Sequence, residues 1–420
     1  MSVATPSAFG AAPSEAAADS LRSDRLTALV LALAIVSYVL EGPIRFVLHS
    51  VSAEMLLYSR DALAAVVVGS CLLSWALGQR SVAPLAGAVG ILLVHLAIGM
   101  VTLPQPFQAL MGMKIFLWFL LGFAAAPFVA RRRQALVRVS WFVFLITALG
   151  VVLNRFIAFP WIGLSYETSF GATEASKQWW AAGVLRLPGF ARASFNAAMF
   201  MLVSLPALFA TNKGALRRIL LIAVAGVVFV FTTTKGAWTG AAMIAFDAVL
   251  CGLGLQVVAN VGLCALASFC LLLPLVAVQV GASPGSVPGW ALSFVERIRD
   301  MWPRAFALVT EPGQVLWGRG LGGIGVGQNF GEWNKSDAAD NLMVYVLVTF
   351  GMLGICYIGA FLFRFVTYRT RGATADLQQS CVRGWTALWF AYGLTTNMIE
   401  EPMMNMAIGV AFGTVFAIAD

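Results

Sequence analysis

Side chains able to do chemistry are scarce in this chain and fall in a few short segments. One is Arg186-Leu-Pro-Gly189-Phe190, followed by Arg192 and Asn196. An arginine ahead of a helix start can face an anion, helped by free N–H groups and the positive end of the helix. The same residues could form a capping turn with a snorkelling side chain. In Thr232-Thr233-Thr234-Lys235-Gly236-Ala237-Trp238, a lysine stands between two apolar runs and needs a partner or a ligand unless it reaches the interface. In Glu296-Arg297-Ile298-Arg299-Asp300-Met301-Trp302 the charges nearly balance, as on a solvated amphipathic helix. A guanidinium fork there could instead clamp a phosphate. Last come Asp340 and Asn341 with Tyr345, then Gly351 and Gly354. Asp and Asn are favoured helix caps, and a carboxylate so placed is also a candidate general base.

Between these segments lies Gly318-Arg319-Gly320-Leu321-Gly322-Gly323-Ile324-Gly325-Val326-Gly327. Gly320, Gly322 and Gly325 spell G-x-G-x-x-G. The dinucleotide reading fails, because that motif needs a preceding strand in a βαβ unit and an acidic residue beyond it. A flexible backbone whose amides approach a ligand remains, with Arg319 inside it. Lys114, Asp247, Glu400 and Glu401 lie in or near apolar runs and are candidates on that ground.

The elements that carry these residues are membrane helices. Hydrophobic residues make up 60% of the chain and charged residues 11%, against about a quarter charged in soluble domains. Apolar runs long enough to cross a bilayer recur, and in lipid a helix satisfies its own backbone. The fold class expected is an all-α polytopic membrane protein with about twelve transmembrane helices. The runs are 26–40, 62–78, 82–102, 109–130, 136–158, 195–211, 216–234, 236–255, 257–281, 340–366, 381–399 and 402–419. Glu41, Pro43 and Arg45 interrupt a longer first run. Residues 1–25 read as a disordered cytoplasmic tail, 26–282 as the first nine helices, 283–339 as a large loop subdomain, and 340–420 as the last three helices.

Basic residues fix the orientation. Arg131, Arg132, Arg133 and Arg138, then Lys213, Arg217 and Arg218, then Arg364, Arg369, Arg371 and Arg383 all fall on one side, and Arg22 with Arg25 agrees. By the positive-inside rule that side is the cytoplasm, so both termini are inside. Loops 159–194 and 283–339 are outside. They carry Trp161, Trp179, Trp180, Trp290, Trp302, Trp317 and Trp333, whose rings suit a headgroup belt or a sugar face. The net charge of +8 follows from these loops and does not point to nucleic acid. The six cysteines lack metal-ligand spacing and read as packing residues, and two histidines exclude a histidine-rich metal centre.

In their order and placement, the segments resemble the O-antigen ligase/polymerase superfamily, the Wzy- and WaaL-like integral membrane enzymes. Arg186, Gly189 and Asn196 match the segment that opens a span. Thr233, Thr234, Lys235 and Gly236 with Trp238 match a Thr-Ser-Arg-Gly-like turn, with lysine for the usual arginine. Arg297 or Arg299, Trp302, Gly318 and Gly320 match the large periplasmic loop. Asp340, Asn341, Gly351 and Gly354 match its end. Ligases of that family carry a histidine where Asp340 stands, so the likeness leans to a polymerase.

The resemblance implies a GT-C-like helical bundle in a bacterial inner membrane with a periplasmic site. It implies metal- and cofactor-free, inverting transfer of a glycan from undecaprenyl diphosphate to an acceptor sugar hydroxyl. Asp340 and Asn341 would be catalytic. Arg186, Arg192, Lys235, Arg297, Arg299 and Arg319 would bind the donor diphosphate, and Trp238, Trp302 and Tyr345 would contact glycan. The partners expected are the undecaprenyl-diphosphate-linked oligosaccharide, an acceptor glycan, membrane lipid and a chain-length regulator. Ligase-type transfer to lipid A-core or protein is the alternative within the class. A flippase for the same lipid-linked sugar is the alternative outside it.

Overall fold

The structure is a computed structural model that describes residues 15–78, 82–168, 171–181, 183–280, 292–332, 340–368 and 375–416. Trp290, Trp333, Lys335, Arg369 and Arg371 lie outside the described residues. The helices are α1 (Glu15–Val39), α2 (Glu41–Ser50), α3 (Ser59–Ala76), α4 (Ala83–Thr102), α5 (Pro106–Arg131), α6 (Arg133–Phe156), α7 (Ser194–Thr211), α8 (Ala215–Phe231) and α9 (Lys235–Gly252). There follow α10 (Gln256–Val280), the short α11 (Leu292–Glu296), α12 (Trp302–Ala307) and α13 (Pro312–Trp317), then α14 (Leu342–Thr367), α15 (Ala375–Gly393) and α16 (Pro402–Phe416).

Among the described residues, seven helices are long and apolar enough to cross a membrane, or eight if the bent α1–α2 pair is one span. Two of the apolar runs read as spans from the sequence, α8 and α16, form helices of 17 and 15 residues, short of the roughly 20 that a straight crossing needs. The interruption at Glu41 is a real break, since α1 and α2 meet at 88°. Residues 15–25 of the expected disordered tail are helical in the structure. The all-α expectation is also corrected locally. The loop after α6 holds two antiparallel hairpins, β1 (Ser165–Thr168) with β2 (Gly171–Glu174) and β3 (Trp179–Ala181) with β4 (Val184–Arg186).

Helices α5 and α16 pack most closely. A Cβ on Gly122 would meet the backbone of Met406, and one on Gly409 would meet the backbone of Phe119. Small residues of this kind let membrane helices approach where no hydrophobic force separates protein from lipid. Phe361 of α14 stacks on Phe412 of α16 at 3.9 Å between centroids. The core runs from there through Met199, Leu202, Leu388 and Phe390 to α7 and α15.

The glycine run does not stand outside the bundle as a polar loop. It threads between α4, α5 and a break in α14. Gly351 has φ 60 and ψ −152, a conformation that glycine adopts at little cost, and it interrupts α14. The amides of Arg319 and Gly320 donate to the carbonyls of Val348 and Thr349 at 2.8 and 3.0 Å, and Leu321 N donates to His95 O at 3.0 Å. Thr102 Oγ1 and Gln108 Nε2 bind the carbonyls of Arg319 and Gly322 at 2.7 and 2.9 Å. Leu321 and Ile324 are fully buried. Irregular backbone is tolerated at such depth only where protein satisfies it, and here protein does.

Candidate active site

The corner ahead of α14 is built by two adjacent residues with different tasks. Asn341 is the helix cap: its Oδ1 accepts from Met343 N at 2.8 Å and Val344 N at 3.1 Å. Its Nδ2 donates to Leu394 O at 3.2 Å, which ties α14 to the α15–α16 link. Asp340 is therefore not the cap. It stands outside the helix with φ 38, a left-handed backbone uncommon for a residue with a side chain. Its Oδ2 accepts from Arg297 Nη2 at 3.0 Å. Burial raises the carboxyl above the ordinary aspartate range, and the Arg297 charge opposes this. The Asp340 side chain keeps 32% exposure, so a hydroxyl can reach it.

The same corner separates the two arginines that the sequence left open. Arg297 also donates to Ser293 O at 2.8 Å, and its Nε is buried with no hydrogen-bond partner. Arg299 turns to solvent and pairs with Asp300 at 3.3 Å. Of the two, Arg297 is the one that contacts Asp340.

Further charged and polar groups lie around this pair. Arg186, in β4, is within electrostatic reach of Arg297 and Tyr392, and burial lowers its pKa. The link 394–401 brings in Glu400 and Glu401. Val326 N donates to Glu400 Oε1 at 2.7 Å, and Asn196 Nδ2 donates to Glu401 Oε2. Burial raises Glu400 to about 7, with the Val326 amide opposing. Burial and then Glu400 raise Glu401 to about 8. Lys177 is within electrostatic reach of both, and burial lowers its pKa. Lys235, the first residue of α9, is exposed. Its neighbour Gly236 has room for no Cβ against Thr395 and the Tyr392 ring, so the start of α9 abuts the same link.

Sequence reasoning missed Lys177 and Tyr392, and it held Glu400 and Glu401 as candidates without a role. The signal available for the two glutamates was a carboxylate pair between two apolar runs on the outer side.

Several expected site residues do other work. Arg319 is buried and committed to the glycine run: it donates to Gly323 O at 2.6 Å and pairs with Glu332 at 2.9 Å. The amides of Gly318, Arg319, Gly320, Leu321 and Gly323 bind backbone carbonyls, and those of Gly325 and Val326 bind the side chains of Gln328 and Glu400, so these seven are committed within the protein. Trp302 is fully buried edge-on to Phe294, and Tyr345 is fully buried, so neither presents a face to a sugar. Trp238 packs edge-on against Phe229 with its outer side exposed. Trp161 stacks on Phe159 at 4.5 Å and donates to Gly189 O, a structural post for the turn. Trp179, exposed over Lys177 at 4.7 Å, remains available. Arg192 lies apart from Arg186, near Glu41, Arg45 and Arg60.

Asp247 and Lys114 find partners elsewhere. Arg383 holds Asp247 with bonds of 2.6 and 3.1 Å, and Lys114 pairs with Asp61 at 3.0 Å. Among the described residues, no group of three His, Cys, Asp or Glu is arranged to hold a metal ion. Two surface cavities lie away from Asp340, one beside Arg133 and Gln378 and one beside Gln256, Asn260 and Arg383.

The chain is thus a nearly all-α, multi-pass membrane protein with a partly exposed carboxylate, paired with one arginine, at one end of its bundle. No protein-family model matches it, and no curated protein is detectably similar to it.

Proposed function

We propose that this protein is a membrane glycosyltransferase of the polysaccharide-polymerase kind. It moves a glycan from a polyprenyl diphosphate, such as undecaprenyl diphosphate, to the hydroxyl of an acceptor sugar. The observation that carries this reading is Asp340: a carboxylate raised by burial, left-handed in backbone, ahead of a helix whose cap is a different residue, and held by an arginine with a spare buried donor.

In the step, the acceptor oxygen attacks the anomeric carbon, and its proton passes to Asp340. The bond from that carbon to the diphosphate oxygen breaks, and the electron pair leaves with the lipid diphosphate. Attack opposite the leaving group inverts the anomeric centre. Arg297 and Arg186 oppose the charge that develops on the diphosphate. A donor diphosphate competes with Asp340 for Arg297, which frees the carboxylate as the donor arrives. Lys235, exposed at the start of α9, reinforces the cationic side. Asn341 acts through α14 and the link, as a positioning residue.

The proposed topology has twelve spans in a GT-C-like bundle, cytoplasmic termini and a periplasmic site in a bacterial inner membrane. Helix ends support it. The ends joined to the candidate site are the starts of α5, α7, α9, α14 and α16 and the ends of α4, α6, α8 and α15, as alternating crossings require. The basic residues Arg131, Arg133, Lys213 and Arg364 fall at the opposite ends.

The test uses purified protein with a polyprenyl-diphosphate oligosaccharide and free acceptor. Release of polyprenyl diphosphate together with a longer glycan is expected, and Asp340→Ala abolishes it. Transfer only to lipid A-core or protein would make the enzyme a ligase. Movement of the intact donor across vesicles without bond cleavage would refute the reading in favour of a flippase.

A further inference from the structure

At the bent α1–α2 pair a second group of charges is gathered, and it does not balance. Helix α2 turns 88° from α1 and runs across the end of the bundle. Glu41, Arg45 and His49 recur every fourth residue on it and share a face. Arg45 Nη2 is 2.6 Å from Glu41 Oε1, and Arg60, at the start of α3, is 3.6 Å from the same oxygen. Arg192 arrives from the other side on a pinned loop. Gly42 N donates to Phe190 O at 2.9 Å, and Ser176 Oγ donates to the carbonyls of Ala191 and Arg192 at 2.9 and 3.0 Å. The Arg192 guanidinium is within electrostatic reach of Glu41, Arg45 and Arg60.

Two guanidinium groups therefore share the Glu41 carboxylate, and a third, that of Arg192, whose Nη2 donates to Thr173 Oγ1 at 3.4 Å, lies within electrostatic reach of it. The neighbouring Asp61 belongs to Lys114 at 3.0 Å, and Glu54 belongs to His49 at 2.6 Å. Tyr166 only accepts from Arg45, at 3.2 Å. Arg60 stacks over the Tyr38 ring at 3.9 Å, yet its Nε and Nη1 are buried with no hydrogen-bond partner, as is Arg192 Nε. Buried like charges with free donors are costly, and an anion placed among them relieves both costs. The planar forks suit phosphate oxygens.

The flanks say what the anion is attached to. Val47 on the other side of α2, Val51 just past its end, and Met55 and Leu56 in the turn that follows are each more than half exposed. A helix with charges on one face and such residues on the other lies in the plane of a membrane surface. An anion beside it has hydrocarbon as its neighbour.

We propose that Arg45, Arg60 and Arg192 bind the phosphate or diphosphate headgroup of a membrane lipid, whose chain runs along Val47, Val51, Met55 and Leu56. The site shares no residue with the Asp340 corner, so it does not rest on glycosyl transfer.

Protein carrying Arg297→Gln, which removes the donor contact proposed above, is reconstituted in phosphatidylcholine nanodiscs and titrated with a short-chain polyprenyl diphosphate, with inorganic diphosphate and with the matching polyprenol. Arg60→Gln and Arg192→Gln are each expected to weaken binding of the polyprenyl diphosphate by about tenfold, the loss of one charge-assisted contact. Arg299→Gln is expected to leave it unchanged. If a glutamine variant melts early, Arg192→Lys, which keeps the charge and loses the fork, carries the test with the same readout. Unchanged affinity in the arginine variants would overturn the proposal. So would inorganic diphosphate binding as tightly as the lipid, which makes this a free-phosphate site, or polyprenol binding as tightly, which removes the role of charge.

Discussion

Two arginine–carboxylate pairs in this molecule look alike in the sequence and differ in what they leave open. Arg383 and Asp247 join α15 to α9 through bonds of 2.6 and 3.1 Å, and a further Arg383 donor reaches Asn260 at 2.5 Å. That pair is buried and its donors are taken. Arg297 and Asp340 share one bond of 3.0 Å, leave Nε of the arginine without an acceptor, and hold the aspartate in a left-handed backbone. A saturated pair locks two helices. An unsaturated pair at an accessible corner can exchange its partner for a ligand. Charge beside an apolar run is the same signal in both cases, and only the surroundings separate structure from chemistry.

The comparison can be broken most sharply at Asp340. Asp340→Asn is expected to lower glycan transfer by about 10²–10⁴-fold, the usual span for a general base, without moving the melting temperature. Transfer at the wild-type rate would make this pair structural too. Next in size, Arg383→Ala is expected to destabilise the fold by about 3–5 kcal/mol, because it strands a buried carboxylate. Replacing both partners, Asp247→Leu with Arg383→Met, should recover most of that loss. An unchanged melting temperature for Arg383→Ala would remove the locking role.

A pH titration sharpens the same contrast. Glu400 and Glu401 keep their protons in the fold up to about 7 and 8, against an ordinary value of 4.5. A carboxyl raised on folding stabilises below its unfolded pKa, and that contribution is lost as pH rises through the folded one. The protein should therefore melt lower at pH 9 than at pH 5, and Glu401→Gln should flatten the slope. A slope of the opposite sign would show that these groups are ionised in the fold. A smaller effect is expected from Asn341→Ala, about 1 kcal/mol for a lost cap, read as a drop in melting temperature. Smallest is Arg299→Ala, within about 0.5 kcal/mol and with unchanged transfer, since its pair with Asp300 is solvent-exposed.

The helices were largely legible. The run at 195–211 is Ser194–Thr211 in the structure, and 82–102 is Ala83–Thr102, because hydropathy and length determine such elements. The break at Glu41 was also visible, as polar residues within an apolar run. The path of residues 318–330 was not. Glycines without side-chain pattern read as solvated loop, and the partners that bury them, His95, Gln108, Val348 and Thr349, are distant in sequence or hidden inside α14. Asp340 and Asn341 were both legible as a cap or a base. Which did which depended on one backbone angle that sequence does not encode locally.

The threaded glycine run also imposes an order in time. Synthesis runs from the N-terminus, so α4 and α5 are made well before Leu321, whose amide must reach the His95 carbonyl. The carbonyls of Val348 and Thr349, which close the other side, are made later still. The run can meet α4 and α5 as soon as it is made, but it is enclosed only after α14 has emerged. The corner that holds Asp340 is accordingly among the last parts of the molecule to take shape, and a chain halted before α14 lacks the Met343 and Val344 amides and the Leu394 carbonyl that fix Asn341 beside it.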